Sequence, residues 1–127
     1  SARAADIYGL EILARGISDN EYNNTRFAVI SPVLELREGR DKVSAVFTLA
    51  HQSGSLYSVL SVFAANGLNL LKIESRPVKG KGWEYMFFVD FSGDLGGPGM
   101  DGAIRELMGA SVSFRVLGNY RQAGDAI

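Results

Sequence analysis

Apolar and polar residues follow a regular order in the second part of the chain, beginning near residue 42. Apolar side chains occupy every second position of residues 42–50, at Val43, Ala45, Phe47 and Leu49. This two-residue period predicts a strand with one buried face. Residues 55–66 instead carry apolar side chains at helical spacing and are followed by Gly67, which predicts a helix that ends there.

Two more strands are predicted after this helix. Residues 68–76 form an apolar, β-rich run that ends at Pro77, and residues 83–91 have an apolar side chain at every odd position. Both patterns are typical of strands. The glycine- and lysine-rich residues 78–82 between them predict a hairpin loop.

A second helix and a last strand complete the pattern. Residues 100–108 predict a short helix that stops at Gly109, with an apolar face formed by Ala103, Ile104, Leu107 and Met108. Residues 111–117 alternate again and predict a strand, with Val112, Phe114 and Val116 inward.

These elements have the order β-α-β-β-α-β, which is typical of the ferredoxin-like fold. The fold class is therefore α+β, with an antiparallel sheet and two helices on one of its faces. A domain of about eighty residues has a small core, so we expect oligomerisation to add stability.

The first forty residues have a less regular pattern. Residues 2–8 predict the end of a helix stopped by Gly9, and residues 25–31 predict a strand that Pro32 ends. Residues 35–41 are polar and charged, which predicts a linker. The chain opens within a helical pattern and without an initiator Met, so we expect it to be a piece of a longer protein.

Composition narrows the functional classes. The chain has 13 basic and 14 acidic residues, one histidine and no cysteine. A near-neutral chain lacks the charge that attracts nucleic acid or an anionic membrane surface, and no apolar run approaches the roughly 20 residues of a membrane span. Disulfides, thiolate chemistry and most histidine-built metal sites are excluded. We expect a cytoplasmic protein with no metal and no cofactor.

Candidate ligand-binding chemistry lies where the first long helix begins, at Ser53, Gly54 and Ser55. The first turn of a helix has unpaired amide groups and a partial positive charge, which together bind carboxylate or phosphate. Gly54 leaves the backbone open to a ligand because it has no side chain. A plain helix cap, with the oxygen of Ser53 or Ser55 as acceptor, explains the same residues.

The second candidate is Glu74-Ser75-Arg76-Pro77, at the end of the second predicted strand. Alternation places Glu74 and Arg76 on one face of the strand. They form either an ion pair or a clamp for the two ends of a zwitterion. A surface salt bridge of little energetic value is the simpler interpretation.

Three segments resemble the ACT regulatory domain of prephenate dehydratases in their order and spacing: GSLYSVL, NLLKIESRP and WEYMFFVDF. The related segment of aromatic amino acid hydroxylases is similar. The likeness runs from about residue 42 to Tyr120 and ends in VLGNY. It implies that ACT domains pair into a homodimer, or a tetramer, and that the end product L-phenylalanine binds at the dimer interface for allosteric feedback control.

The resemblance also implies a set of ligand-binding residues from two copies. One copy gives backbone amides to the carboxylate of phenylalanine along Gly54, Ser55, Leu56 and Tyr57. The other copy contacts the amino group and the ring through Asn69, Leu70 and Ile73, in a loop braced by Glu74, Ser75 and Arg76.

This chain departs from the family pattern at two positions. Ser55 stands where the family usually has alanine, and Leu71 stands where it often has threonine. We expect Ser55 to add a hydrogen bond or to tighten the pocket. We expect Leu71 to change the packing beside Asn69, so both residues bear on which aromatic amino acid binds.

The N-terminal segments AADIYGLEILARGISDN and NNTRFAVI resemble the end of the prephenate dehydratase catalytic domain. That enzyme is a lyase that converts prephenate to phenylpyruvate. The resemblance implies that Thr25, Arg26 and Phe27 serve catalysis in the intact enzyme. There, the hydroxyl of Thr25 donates a hydrogen bond to the departing ring oxygen, Arg26 holds a carboxylate or supports the strand, and Phe27 packs.

The resemblance divides the chain into three regions: a catalytic remnant with its linker over 1–39, an ACT domain over 40–121 and a tail over 122–127. Because the rest of the catalytic domain is absent from this sequence, we expect the chain alone to have no dehydratase activity.

Two other functions fit parts of the pattern. A free-standing ACT module that binds an amino acid would carry residues 2–31 as an extension. Residues 81–87 are similar to the RNP1 motif of RNA-binding RRM domains, which share the βαββαβ order. However, the open sheet face is predicted to keep only Met86 and Phe88 for stacking, and a net charge of −1 does not favour RNA. His51 is expected to be a solvated loop residue rather than a pH sensor or ligand contact.

Overall fold

The computed structural model describes residues 2–17, 19, 27–78 and 84–122. The chain divides into two compact units, Ser1–Ile30 and Ser31–Ile127. In the first unit the predicted helix is confirmed as α1 (Ala2–Tyr8), followed by Gly9 with a φ of +61°. Residues 27–31, the described part of the strand predicted over 25–31, are exposed and lie in no strand. A strand requires a hydrogen-bonded neighbour, and the described residues provide none there.

The predicted β-α-β-β-α-β order is confirmed in the second unit. Its elements are β1 (Lys42–Thr48), α2 (Ser55–Ala65), β2 (Leu70–Pro77), β3 (Tyr85–Ser92), α3 (Met100–Ala110) and β4 (Ser113–Tyr120). The strands form one antiparallel sheet in the order β2-β3-β1-β4. β2 and β4 are therefore edge strands, and the α+β, ferredoxin-like arrangement agrees with the prediction.

The hydrophobic core lies between the two long helices and one face of the sheet. Its largest fully buried side chains are Val43, Phe47, Val59, Phe63, Val89, Phe91 and Leu107. The rings of Phe63 and Phe91 meet edge to face, with centroids 5.1 Å apart. Burial of each such side chain stabilises the fold by roughly 1.5–3 kcal/mol. The packing of these side chains therefore fixes the positions of α2 and of the central strands.

Three predicted details near α3 and β4 are wrong. α3 continues through Gly109 to Ala110, because a glycine within a helix costs only about 1 kcal/mol relative to alanine. Met108 is 55% exposed, whereas Met100 is buried with Ala103 and Leu107, so the buried stripe of α3 starts earlier. Val112 is 70% exposed because it precedes β4 and does not share its alternation.

One buried side chain holds the glycine-rich loop between β3 and α3. Asn119 is 2% exposed. Its Nδ2 donates to the carbonyls of Lys42 (3.0 Å) and Gly93 (3.1 Å), and its Oδ1 accepts from the amide of Leu95 (2.9 Å). These three bonds tie the loop to the beginning of β1.

The sheet face opposite the core carries an ion pair and more apolar side chains than the sequence predicted. Lys42 and Asp90 form an ion pair there, and Ser44 donates a hydrogen bond to Asp90. Apolar area comes from Met86 and Phe88, as predicted, and also from residues that the sequence pattern did not assign to this face: Val46, Leu117 and Tyr120. Within the described ranges, no helix is long and apolar enough to cross a membrane.

Candidate functional site

α2 begins at Gly54, whose backbone has a φ of +85° and a ψ of −7°. This left-handed conformation costs a residue with a Cβ roughly 1–2 kcal/mol, so glycine is favoured at this position. No side chain among the described residues caps the helix. The alternative in which Ser53 or Ser55 supplies the capping oxygen is therefore not observed.

The first turn of α2 leaves two backbone donors free. The amide of Ser55 donates to the carbonyl of Gln52 (3.3 Å), and the amide of Ser58 donates to the carbonyl of Gly54 (2.9 Å). The amides of Leu56 and Tyr57 have no acceptor among the described residues. No atom lies within 4 Å of the position that a Cβ on Gly54 would occupy. This helix start is open to solvent, with the free donors that bind carboxylates.

A pocket of about 140 Å³ adjoins this helix start. Its walls are half apolar (Leu49, Ala50, Leu56 and Phe87) and half polar (His51, Gln52, Ser55 and Tyr85). A cavity of about 150 Å³ holds a benzene ring, so the pocket fits an aromatic side chain. Its apolar floor packs against the hydrophobic core through Leu49, Leu56 and Phe87 and is therefore firmly placed.

β2 carries the other candidate residues and runs along a free edge of the sheet. Ile73 pairs with Val89, and Ser75 pairs with Phe87, so both lie on the face that the helices cover. Ile73 remains 44% exposed because no strand lies beyond it. Its side chain is available to a neighbouring molecule.

The residues just before and at the start of β2 have surroundings that differ from those of Ile73. Leu70 packs against the core of its own unit. Asn69 is exposed, and its carbonyl accepts a hydrogen bond from the amide of Ser92 (2.9 Å). Leu71 lies at an irregularity of the β2–β3 pairing and is 45% exposed.

Glu74 and Arg76 share the opposite face of β2, as alternation predicted. The Nζ of Lys72 is 3.0 Å and the Nη2 of Arg76 is 3.5 Å from the Glu74 carboxylate. The hydrogen bond and the charge of Lys72, with a smaller contribution from Arg76, hold the pKa of Glu74 below its ordinary value. Glu74 and Arg76 thus form an ion pair in this structure. Because the side chains are 42–69% exposed, the energetic value of this pair is small.

One copy of the chain does not bring all the candidate residues together. α2 has 11 residues, so its two ends are about 16 Å apart. Gly54 precedes one end, and Asn69 follows the other after a turn. In contrast, Ser75 and Pro77 pair with Phe87 and Tyr85, which line the pocket beside Ser55. The last residues of β2 therefore lie near the helix start, and Asn69 lies far from it.

The remaining candidates are placed as follows. Thr25 and Arg26 lie outside the described residues, and Phe27 is 87% exposed. His51 is an exposed residue that lines the pocket. The described residues contain no group of three or more histidine, cysteine, aspartate or glutamate side chains that could hold a metal ion.

The sequence pattern did not identify two walls of the pocket, Tyr85 and Phe87. The odd-position pattern of the third strand assigned both to the inner face, which is correct for Phe87 in its stack on Phe47, with centroids 5.3 Å apart. Placing them beside the helix start also requires the conformation of residues 49–54. That conformation has no periodic signal.

Comparison with known proteins identifies the family of this fold. Residues 43–107 match the family described as ACT domain, and residues 1–33 match the family described as prephenate dehydratase. The bifunctional chorismate mutase/prephenate dehydratase of Aquifex aeolicus (strain VF5) is 44% identical over 120 residues, covering 94% of this chain and 33% of that protein. Arogenate dehydratase 1 of Petunia hybrida is 39% identical over 137 residues, covering 94% and 32%. The chain thus spans about one third of the length of these relatives.

Solved structures show the same likeness. GqqA, described as a novel type of quorum-quenching acylase, has a TM-score of 0.65 at 26% identity, covering 74% of this chain and 48% of that one. Prephenate dehydratase from Arthrobacter aurescens, in complex with L-Phe, has a TM-score of 0.63 at 34% identity, covering 73% and 31%. This chain belongs to the ACT domain family, and the end of a prephenate dehydratase domain precedes its ACT domain.

Proposed function

We propose that this chain is the regulatory end of a prephenate dehydratase and binds L-phenylalanine as a feedback effector. The observation that carries the proposal is the pair of free amides, on Leu56 and Tyr57, beside a pocket of about 140 Å³ that fits a ring. The Arthrobacter aurescens relative, solved with L-Phe, supports the choice of amino acid. The match of residues 1–33 to a dehydratase domain favours this function over a free-standing ACT module.

In this proposal the carboxylate of phenylalanine accepts hydrogen bonds from the amides of Leu56 and Tyr57. The partial positive charge of the helix start adds to their attraction. The ring enters the pocket and displaces water from its apolar floor at Leu49 and Phe87. Because Gly54 has no side chain, the ligand reaches the backbone without steric hindrance.

The second wall of the site comes from a second copy. β2 is a free edge, and two antiparallel edges pair through main-chain hydrogen bonds. In a pairing centred on Ile73, Asn69 of the partner subunit lies opposite Pro77, at the end of β2 that is near the pocket. In the same register Lys72 lies opposite the partner's Glu74, so the charges of the two edges are complementary.

Feedback control requires two arrangements of the intact enzyme. Phenylalanine shifts the equilibrium between them only by its different affinity for each, and the catalytic lobes are less competent in the arrangement that it favours. Turnover of prephenate belongs to the whole enzyme, in which Thr25, Arg26 and Phe27 contribute to catalysis. The inactivity of the chain alone and its cytoplasmic location stay predictions.

Isothermal titration of two glycine variants tests the ligand site. Gly54→Ala and Gly67→Ala each place a Cβ on left-handed backbone, at φ of +85° and +65°, with no atom within 4 Å. Both should therefore lower stability by roughly 1–2 kcal/mol, but Gly67 lies at the far end of α2. We expect only Gly54→Ala to weaken phenylalanine binding, by about tenfold or more. Equal affinity in the two variants would remove the proposed site.

A further inference from the structure

The hydroxyl of Ser55 is a free polar group on the wall of the pocket. Ser55 is partly buried and lines the pocket with Tyr85 and Leu56. Its Oγ has no hydrogen-bond partner among the described residues. The other serines of α2 differ, because Ser58 donates to the carbonyl of Gly54 (3.2 Å) and Ser61 donates to the carbonyl of Ser58 (2.8 Å).

The pocket has one apolar side and one side with hydroxyl groups. Leu49, Leu56 and Phe87 form the apolar side and pack against the core. Ser55 and Tyr85 contribute hydroxyls, and that of Tyr85 also has no partner within the described part of the chain. A rigid apolar floor with a few placed polar groups is the usual design of a site for an amphipathic ligand.

We propose that Ser55 makes this site accept L-tyrosine in addition to L-phenylalanine, by bonding the hydroxyl of the tyrosine ring. The inference rests on the proposed function and specifies its ligand selectivity. In the proposed site the amides of Leu56 and Tyr57 bind the carboxylate, so the Ser55 hydroxyl remains for the side chain that enters the pocket.

The size of the effect follows from the exposure of Ser55. Because its hydroxyl is only partly buried, it keeps a water molecule when phenylalanine binds, and phenylalanine is not rejected. A tyrosine hydroxyl gains one hydrogen bond, which raises affinity by about threefold to tenfold. An alanine at this position offers no such bond, and an apolar wall discriminates weakly between rings with and without a hydroxyl.

Titration of the full chain with phenylalanine and with tyrosine tests the inference in four proteins: wild type, Ser55→Ala, Ser55→Thr and Ser61→Ala. We expect Ser55→Ala to lose about threefold to tenfold in tyrosine affinity while its phenylalanine affinity changes by less than about twofold. Ser55→Thr keeps a hydroxyl and should retain most tyrosine binding. Ser61→Ala, whose hydroxyl lies on the exposed side of α2, should change neither affinity.

Each other outcome has a definite meaning. Equal losses for both amino acids in Ser55→Ala would show that Ser55 holds the carboxylate, and the inference would be overturned. Wild type that binds phenylalanine but not tyrosine would also overturn it, and this measurement decides the case if Ser55→Ala does not fold. Wild type that binds neither amino acid would contradict the proposed function itself.

Discussion

The ammonium group of Lys42 lies 3.0 Å from the carboxylate of Asp90, and the two side chains are only 8% and 15% exposed. Ser44 donates a further hydrogen bond to Asp90 at 2.5 Å, and the hydroxyl of Tyr120 contacts Ser44 at 2.7 Å. Burial raises the pKa of Asp90, but the hydrogen bonds of Ser44 and Lys42 and the nearby positive charges outweigh it. The pKa of this carboxyl therefore lies below its ordinary value.

The lowered pKa of Asp90 predicts how stability depends on pH. Because the folded-state pKa is below the unfolded one, ionised Asp90 stabilises the fold above the unfolded pKa, which is near 3.9. This stabilisation is lost as the pH falls through the folded pKa. We expect the free energy of unfolding, measured with urea between about pH 5 and pH 2, to fall less steeply in Asp90→Asn than in wild type. Parallel pH curves would contradict the role of this carboxylate.

Removal of the Asp90 charge should also lower stability at neutral pH. Asp90→Asn leaves the buried ammonium of Lys42 without its counter-charge, so we expect a loss of about 3–5 kcal/mol in the free energy of unfolding. Glu35→Gln is the control, since Glu35 pairs with Arg37 at 2.6 Å in an exposed position. This variant should unfold like wild type. Comparable urea midpoints for the two variants would show that the Lys42–Asp90 pair contributes no more to stability than the exposed pair does.

Asn119→Ala should loosen the glycine-rich loop of residues 93–99. The change removes three hydrogen bonds and leaves buried or half-buried backbone groups of Lys42, Gly93 and Leu95 without partners. We expect a loss of about 2–4 kcal/mol in stability and faster hydrogen exchange at the amide of Leu95. Asn66→Ala, which removes hydrogen bonds of a more exposed side chain, should lower stability by less and leave the exchange rate at Leu95 unchanged.

Ile73→Lys tests the pairing of two β2 edges. Ile73 is 44% exposed, so the charged side chain fits a single copy, but it would face its own counterpart at the centre of the proposed interface. We expect this variant to sediment as a monomer and to bind phenylalanine at least about tenfold more weakly. Met108→Lys, at a position 55% exposed on α3, is the control. Dimerisation and binding that survive Ile73→Lys would rule out this register.

Thermal unfolding separates an amino-acid sensor from an RNA-binding domain. Phenylalanine at about one hundred times its Kd should stabilise the folded chain by about 2.7 kcal/mol and raise Tm. Single-stranded RNA should not raise Tm, and the chain should show no salt-dependent retention of RNA. A salt-dependent rise in Tm with RNA, and none with phenylalanine, would favour the RRM-like alternative.

The secondary structure could be predicted because burial repeats with the period of each element. Alternation along β1 and helical spacing along α2 each report one buried face, and the structure buries Phe47 and Phe63 as expected. The errors lie at the ends of elements. Met108 and Val112 continue an apolar pattern in the sequence, but the packing of α3 and the start of β4 leave both exposed.

The sequence alone determined the order of the elements, the glycine that starts α2 and the likeness to a regulatory domain, because these depend on residues close together in the chain. Tertiary structure decided that Tyr85 lies beside Ser55, that Lys42 and Asp90 are buried as a pair, and that Asn69 lies a helix length from Gly54. Such relationships depend on strand register and loop conformation. The periodicity within one element carries no information about either.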